Sequence, residues 1–479
     1  MSKARFHSRP RAPAALLLAG VLAGCSLAPE YRRPEAPVAP AYPQGGNAAA
    51  GTRAAADTGW RDYFADPRLQ ELIGTALQNN RDLRTAALRI EEARAQYGIQ
   101  RADRLPSVNA SVAADRARTP AALSPAGSPL LGNRVNAGLG ISAFELDFFG
   151  RVRNLSDAAL SLYLATDEAR QAAQISLVAA VAQAYYTERA YAEQSALAEQ
   201  TLAGRAQTYD LTRQRVEAGA SSQLDLRLNQ SLYEGARVAA LTLARQRAQA
   251  GNALTLLVGQ APATSDTSIA PAAGAMPDDA ALAAFDALPA GLPSDLLTRR
   301  PDIRGAELRL KAANANIGAA RAAFFPRISL TAALGSTSNA FSGLFHSGTG
   351  SWSFAPQLSL PIFDAGRNRA NLSLSETRKN LAVADYEKTI QVAFREVADA
   401  LAARSYLGQQ VTAQRAVQEA QAARLQLLRL RYENGISSTL DVLDAQRELF
   451  SAQQALVQAR LLRVSGAIDL YRALGGGLH

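Results

Sequence analysis

The sequence predicts a mainly α fold with a membrane β-barrel part: an internally duplicated chain with four β-strands and long coiled-coil helices. Three observations carry this. First, the chain repeats itself. Arg81-Asp82-Leu83-Arg84, Gly98 and Leu105-Pro106 return as Pro301-Asp302-Ile303-Arg304, Gly318 and Phe325-Pro326, with Asp82 and Asp302 set 220 positions apart. Glu217 to Asp225 returns as Glu433 to Asp441, now 216 positions apart. The four-residue slip between the two offsets must lie among strands and a loop. Second, four short segments alternate apolar with small or polar residues. Third, two stretches of about 68 residues contain no proline and keep a helical pattern. Two copies of one long unit point to a ring or tube more readily than to a cleft enzyme. An ordinary duplication inside a soluble helical protein is the alternative.

Residues 1–24 read as a lipoprotein signal peptide and stand outside the fold. Lys3, Arg5, Arg9 and Arg11 precede an apolar run from Ala12 to Leu22, and Leu22-Ala23-Gly24-Cys25 closes it. Small residues before a cysteine fit a lipoprotein peptidase site, which would leave Cys25 as a lipidated mature terminus. A plain signal peptide with an incidental cysteine is the alternative. Cys25 is the sole cysteine of the 479 residues, so no intrachain disulfide is expected. Ser26 after the cysteine, by resemblance to bacterial lipoproteins, favours the outer membrane. The formal charge is +9, of which the four signal-region cations leave only a mild excess of scattered arginines. That distribution describes a solvated surface and not a nucleic-acid site. No apolar run reaches the ~18 residues of a membrane helix. Aromatic residues make up only 6 %, which suits closely packed, alanine-rich helices better than a large globular core.

Residues 25–78 form a lipid-anchored tether and an equatorial segment. Five prolines between Pro29 and Pro43 make the first part an extended linker. Residues 79–258 form the first repeat, 259–298 an equatorial insertion, 299–474 the second repeat and 475–479 a C-terminal tail. Each repeat opens with a helix, which Pro106 or Pro326 ends because proline cannot continue the hydrogen-bond ladder. The period then changes to two. Val108, Ala110 and Val112 form one strand; Val135, Ala137, Leu139, Ile141 and Ala143 form its hairpin partner. In the second repeat Ile328, Leu330, Ala332 and Leu334 pair with Trp352, Phe354, Pro356, Leu358, Leu360 and Ile362. Each run suits the ~9–11 residues of a tilted membrane strand.

Gly150-Arg151 and Gly366-Arg367 begin the long helices, Arg151 to Ala218 and Arg367 to Asn434, each roughly 100 Å at ~1.5 Å per residue. Ile390, Val397 and Val411 fall in one heptad column, with Phe394 and Leu401 beside it. Gly219 and Gly435 suit the left-handed cap that ends a helix. Ser222 with Asp225, and Ser438 with Asp441, then open the returning helices as capping boxes. The returning helices run to about Val258 and Leu474, ~55 Å each, and each needs the ~37 Å helix before the strands to match the long one. The insertion, the N-terminal segment and Gly475-Gly476-Gly477 therefore share one level as a belt. Four strands leave two open edges, and an unpaired backbone group in lipid costs several kcal/mol. The chain must oligomerise to close.

These residues resemble the lipoprotein branch of the TolC-like outer-membrane efflux factors, the OprM/NodT type that serves resistance-nodulation-division systems. The resemblance rests on Cys25-Ser26-Leu27-Ala28-Pro29, Asp66-Pro67-Arg68-Leu69 and Asn79-Asn80-Arg81-Asp82-Leu83. It rests also on Arg299-Arg300-Pro301-Asp302-Ile303, Phe324-Phe325-Pro326, Leu443-Asp444-Ala445-Gln446-Arg447 and Ala473-Leu474-Gly475-Gly476-Gly477, and so spans nearly the whole mature chain. It implies a homotrimer: a 12-stranded β-barrel continued by a 12-helix α-barrel with an equatorial belt. It implies a periplasmic adaptor, an inner-membrane resistance-nodulation-division pump and outer-membrane lipid as partners. The location implied is the outer membrane of a Gram-negative bacterium, lipid-anchored and extending into the periplasm. The function implied is a passive duct for drugs or other small toxic compounds. A duct of a type I protein secretion system, or a structural periplasmic coiled-coil lipoprotein, are the alternatives.

No catalytic, cofactor or metal constellation is legible, so no enzyme and no cofactor beyond a covalent lipid on Cys25 is expected. His346 and His479 of the mature chain have no ligand neighbours at useful spacing. The candidate sites are of another kind. Gly219, Ser222, Asp225, Gly435, Ser438 and Asp441 make two periplasmic tips expected to meet the adaptor. Leu440 and Asp444 lie four apart on one helix face, and Arg447 is within reach of Asp444. The resemblance implies that Leu440 and Asp444 narrow the periplasmic end as a leucine ring and an aspartate ring. The first repeat has Leu224, Leu228 and Ser231 at these places, so the gate is expected to rest on the second repeat.

Overall fold

The computed structural model describes residues 26–43, 55–125, 127–260, 276–277, 281–282, 285, 288–289, 291 and 293–478. The signal peptide, Cys25, His479 and most of the 259–298 insertion lie outside the described residues. After a single turn, Trp60–Tyr63, the helices are α1 (Pro67–Asn79) and α2 (Arg81–Ala102). Strands β1 (Val108–Thr119) and β2 (Leu130–Leu146) lead into α3 (Arg151–Glu217) and α4 (Gln223–Val258). The second copy adds α5 (Pro293–Arg299), α6 (Pro301–Ala322), β3 (Arg327–Ser338), β4 (Gly350–Ser359), α7 (Arg367–Glu433) and α8 (Thr439–Ala473). The duplication is closest in the helices: α2 and α6 have 22 residues each, α3 and α7 have 67 each, and α4 and α8 have 36 and 35. None of the helices among the described residues is long and apolar enough to cross a membrane.

The described residues fall into two compact units, and each draws on both repeats. One comprises Met1–Pro34, Ile90–Thr166 and Ala306–Tyr386; the other comprises Glu35–Arg89, Asp167–Gly305 and Glu387–His479. The first holds all four strands, in one antiparallel sheet of order β1-β2-β3-β4. The hairpins of the two repeats therefore meet side by side, β2 against β3, and β1 and β4 are the edges.

The register locates the four-residue slip. Val108 pairs with Ile141 and Ile328 pairs with Leu358, spans of 33 and 30 residues, so the first hairpin is longer by three. A β-bulge between Ile141 and Phe144 in β2 supplies the fourth. This corrects the alternation expected through Ala143. Ala143 sits in the bulge with φ 51°, and its amide donates to Thr331 Oγ1 at 3.2 Å. The extra residue restores parity, so that Phe144 takes the place that simple alternation would give to Ala143.

A second correction concerns residues 26–43. They are extended, as the prolines require, but they are not a free tether. In the first unit Ser26 Oγ donates to Asn154 Oδ1 at 3.0 Å, and Asn314 Nδ2 donates to the Pro29 carbonyl at 2.7 Å. Buried Glu307 accepts from Tyr31 Oη (3.1 Å), Arg33 (2.8 and 3.2 Å) and Lys311 (3.1 Å). In the second unit Tyr42 is buried and stacks on Phe394 at 5.2 Å. Such contacts join single polar groups across the sequence and leave no periodic trace.

In the second unit the predicted heptad residues Ile390, Val397, Leu401 and Val411 are buried on α7. Val411 packs with Leu456 and Ala459 of α8. Alanine and glycine let the axes approach: a Cβ on Gly466 would stand 3.3 Å from both Ala403 and Leu407. Within this unit residues of the N-terminal segment, the insertion and the end of α8 meet. Tyr63 stacks on Tyr471 at 4.2 Å, and Phe285 of the insertion meets Tyr63 and Tyr186 edge-on at 5.5 and 6.1 Å. Tyr471 Oη donates to the Thr58 carbonyl at 2.7 Å.

The repeats also share a lock. Asn80 Nδ2 donates to the Leu257 carbonyl at 2.9 Å; at the equivalent place Arg300 Nη1 donates to the Ala473 carbonyl at 2.9 Å. Arg300, 8 % exposed, also binds Asp302 (2.6 Å) and Glu396 (2.9 Å). This explains why Arg-Arg-Pro-Asp is the most distinctive string in the chain. The guanidinium ties the start of α6 to α7 and to the end of α8.

Candidate functional site

In an antiparallel sheet directly opposed residues point to the same side. The register therefore sorts the sheet into two faces. One face carries the row Ala110–Leu139–Leu334–Trp352 and, beside it, Val108–Ile141–Ala332–Phe354. Below the bulge it continues as Phe144–Leu330–Pro356 and Leu146–Ile328–Leu358. The other face carries Asn109–Gly140–Ala333–Ser353 and Ser111–Gly138–Gly335–Ser351. On the apolar face Val108, Leu139, Leu334, Phe354 and Leu358 are exposed in the single chain, and Trp352 is 78 % exposed. A face this apolar is made for lipid, and one this small and polar for water. Twelve-residue β1 is ~40 Å long at ~3.3 Å per residue, or ~28 Å high at a ~45° tilt, which matches a hydrocarbon core. Gly138 is required where β2 and β3 come closest: a Cβ there would lie 2.6 Å from the Leu334 carbonyl oxygen.

The two helical tips are built alike. Gly219 (φ 73°) and Gly435 (φ 72°) adopt the left-handed conformation. Behind them the amides of Ala220 and Ile436 donate back to the carbonyls of Arg215 (2.7 Å) and Arg431 (2.8 Å), a Schellman closure. Ser222 and Ser438 are N-caps, and both capping boxes are complete. The Asp225 amide donates to Ser222 Oγ (3.1 Å), and the Ser222 amide donates back to Asp225 Oδ2 (3.2 Å). The corresponding distances at Ser438 and Asp441 are 3.3 and 2.9 Å. Hydrogen bonds from the serine hydroxyl and amide hold both aspartates below the usual carboxylate range; Ser221 adds a third at Asp225.

Leu440 and Asp444 lie on the open side of α8, and Leu443 and Ala445 pack inward. Leu440 is 61 % exposed, an apolar group that the single chain leaves in water. Asp444 Oδ1 accepts from Arg447 at 2.7 Å, the partner expected from the spacing. Asp444 Oδ2 also accepts from Arg424 of α7 at 3.0 Å. Arg424 was not legible as a partner, because 20 residues and a turn separate it from Asp444. Arg205 was also missed: buried on α3, it donates to the Leu443 carbonyl at 3.3 Å, and burial lowers its pKa. At the first-repeat positions Leu224 and Leu228 are exposed, and no carboxylate stands where Asp444 does. The asymmetry of the residues is thus an asymmetry of ion pairs.

A sheet with one lipid-facing side and two open edges, carried by paired helices of ~100 Å with capped turns, defines a protomer of an outer-membrane export duct. Comparison with known proteins makes this specific. The sequence profile of the outer membrane efflux protein family matches residues 72–260 and 292–476. The antibiotic efflux pump outer membrane protein ArpC of Pseudomonas putida is 50% identical over 462 residues, covering 96% of this chain and 94% of that protein. The toluene efflux pump outer membrane protein TtgC, also of Pseudomonas putida, matches to the same extent. The crystal structure of the open state of the Neisseria gonorrhoeae MtrE outer membrane channel superposes with a TM-score of 0.84. It is 42% identical and covers 95% of this chain and 99% of that one. The chain belongs to the outer membrane efflux protein family, and it is the outer-membrane channel subunit of a tripartite efflux system.

Proposed function

We propose that three copies of this chain close into a 12-stranded barrel and a 12-helix periplasmic cylinder, which serve as a passive exit for drugs and small toxic compounds. The observation that carries this is the sheet: one face that is apolar over most of its height and ends in Arg116 and Arg118, one small and polar face, and two edges with unpaired backbone. A closed ring is the arrangement that satisfies those edges in lipid. An inner-membrane resistance-nodulation-division pump would load the duct through a periplasmic adaptor seated on the tips around Gly219 and Gly435. Cys25 would carry lipid that holds the protein at the outer membrane without forming the pore. The ring of Leu440 and Asp444, with Arg447 and Arg424, would narrow the periplasmic end. The duct carries out no chemical step of its own.

The efflux roles in the names of the two Pseudomonas relatives suggest aromatic solvents and antibiotics as cargo. Deleting the gene from its host should raise susceptibility to toluene and to unrelated antibiotics several-fold. Restoring the chain should reverse this and return heat-modifiable trimers to the outer-membrane fraction. Unchanged susceptibility, with loss of a secreted protein from the medium, would move the chain to type I secretion.

A further inference from the structure

The internal duplication supplies a template for a contact that a single chain does not contain. Within the chain β2, the second strand of one hairpin, pairs with β3, the first strand of the next. Around a closed ring the same relation joins β4 of one copy to β1 of its neighbour. We infer that this seam repeats the β2–β3 register, with Leu358 of one copy opposite Val112 of the neighbouring copy. This rests on the trimeric closure proposed above and adds its residue-level register.

The mapping follows from observed pairs. β1 and β3 correspond at an offset of 220, as Pro106 and Pro326 do. Because Val108 pairs with Ile141 and Ile328 with Leu358, the upper part of β2 corresponds to β4 at 217 (358 less 141). Below the bulge the offset is 216, as at Gly150 and Gly366. The pair Ile141–Ala332 then becomes Leu358–Val112, and Val135–Ser338 becomes Trp352–Arg118. Below the bulge, Phe144–Leu330 becomes Leu360–Ala110, and Leu146–Ile328 becomes Ile362–Val108. Both halves give one uninterrupted register, as β4 needs, since its pairing with β3 is regular.

Three independent features fit this seam. It sets Leu358, Leu360 and Ile362 against Val112, Ala110 and Val108, so the lipid face runs on around the ring there. It places the exposed aromatic rings of Trp352 and Phe354 opposite the exposed Arg118 and Arg116, where cations can sit over the rings at the rim. And it explains why β4 is shorter than β2. β2 stays a strand through Phe144 and Leu146, which β3 alone pairs there; β1 has already ended at Ile141. The β4 counterparts, Leu360 and Ile362, lie beyond the end of the strand, with Ile362 95 % exposed. They have no neighbour to extend them until a second copy supplies Ala110 and Val108.

Disulfide trapping tests the register in the membrane-inserted full chain. The pairs are Leu358→Cys with Val112→Cys and Gln357→Cys with Ala113→Cys. Adjacent pairs in an antiparallel ladder alternate in hydrogen bonding, so the two sample both backbone geometries. The out-of-register controls are Leu358→Cys with Ala110→Cys and Leu358→Cys with Ala114→Cys. A two-residue shift moves the Cα by ~7 Å, beyond the ~4.4–6.8 Å that a disulfide spans. Oxidation should shift the in-register variants from monomer to covalent dimer and trimer on non-reducing gels. The controls, and the unsubstituted chain with Cys25 alone, should remain monomeric after boiling. A control that cross-links better than both in-register pairs overturns the register. So does absence of cross-links in variants that still form heat-modifiable trimers. If the unsubstituted chain forms no such trimer, it is the closure itself that fails.

Discussion

Asp444→Ala, made with and without Leu440→Ala, should open the periplasmic end. Asp444 holds two arginines of different kinds. Arg447 is on the same helix three residues on, a pair worth about 0.2–0.5 kcal/mol. Arg424 bridges from α7, and with side chains 44 % and 38 % exposed the bridge belongs among solvated pairs, at ~0.2–1 kcal/mol. Losing both costs about 1 kcal/mol per chain. If three copies open together the sum is about 3 kcal/mol, or roughly 100-fold in the opening equilibrium. The bridge between helices should matter more than the pair within one, so Arg424→Ala should open the channel further than Arg447→Ala. Screening gives a second handle. The Debye length falls from ~10 Å at 0.1 M salt to ~3 Å at 1 M, so wild-type opening should rise with salt and the Asp444→Ala channel should respond less. Single-channel recording in planar bilayers reads both effects. If Asp444→Ala with Leu440→Ala conducts like wild type at about 0.1 M salt while its trimer is intact, the constriction lies elsewhere.

Three further outcomes are expected. Cys25→Ser should abolish labelling by radioactive palmitate and still yield trimers, and a labelled mutant would refute lipidation at this position. Arg300→Ala should lower the heat stability of the protein by about 3 kcal/mol, because Glu396 and Asp302 lose their common partner, whereas Asn80→Ala should cost about 1 kcal/mol; the reverse order in thermal melts would refute the charged lock as the stronger of the two. Asp225 and Asp441 have folded-state pKa values below their unfolded ones, so their capping contribution is present above the ordinary carboxylate pKa of about 3.9 and is lost as the pH falls through the lowered value. Amide exchange at the two tips should accelerate in that acidic window in wild type and not in Asp225→Asn with Asp441→Asn; equal acceleration in both would assign the effect to other groups.

Much of the architecture was legible because it repeats or is periodic. The duplicated strings, the glycine caps and the Asp444–Arg447 spacing are local patterns with the geometry their pattern implies, and the alternation of the strands holds except at Ala143 and past Ser359, where Leu360 and Ile362 lie outside β4. What escaped is single and distant. Arg424 meets Asp444 across a helical hairpin, and no spacing rule links residues on antiparallel helices until their register is known. The bulge at Ala143 was hidden because an alternating run reads the same whether or not one residue is looped out. The seating of residues 26–43 was hidden for a related reason. Proline and alanine announce an extended backbone, but not that Tyr31 and Arg33 will find the one buried carboxylate of α6 that receives them. Pairing of β2 with β3 depends on the two hairpins meeting, which is a property of the duplicated whole.

The seat of Ser26–Arg33 bears on the order in which the polypeptide takes shape. Its holdfasts are residues 128, 276 and 285 positions further along: Asn154, Glu307 and Asn314. Gly318 has no side chain where Ala28 lies, since a Cβ there would be 2.7 Å from the Ala28 nitrogen. Among the described residues, this segment meets Asn154 once about a third of the sequence has been made, and its other two holdfasts only at about two-thirds. Its full seat forms only once α6 of the second repeat has been made. Closing loops this long costs conformational entropy that rises only slowly with length, so the delay is one of sequence more than of energy. A segment made early is thus fully seated late.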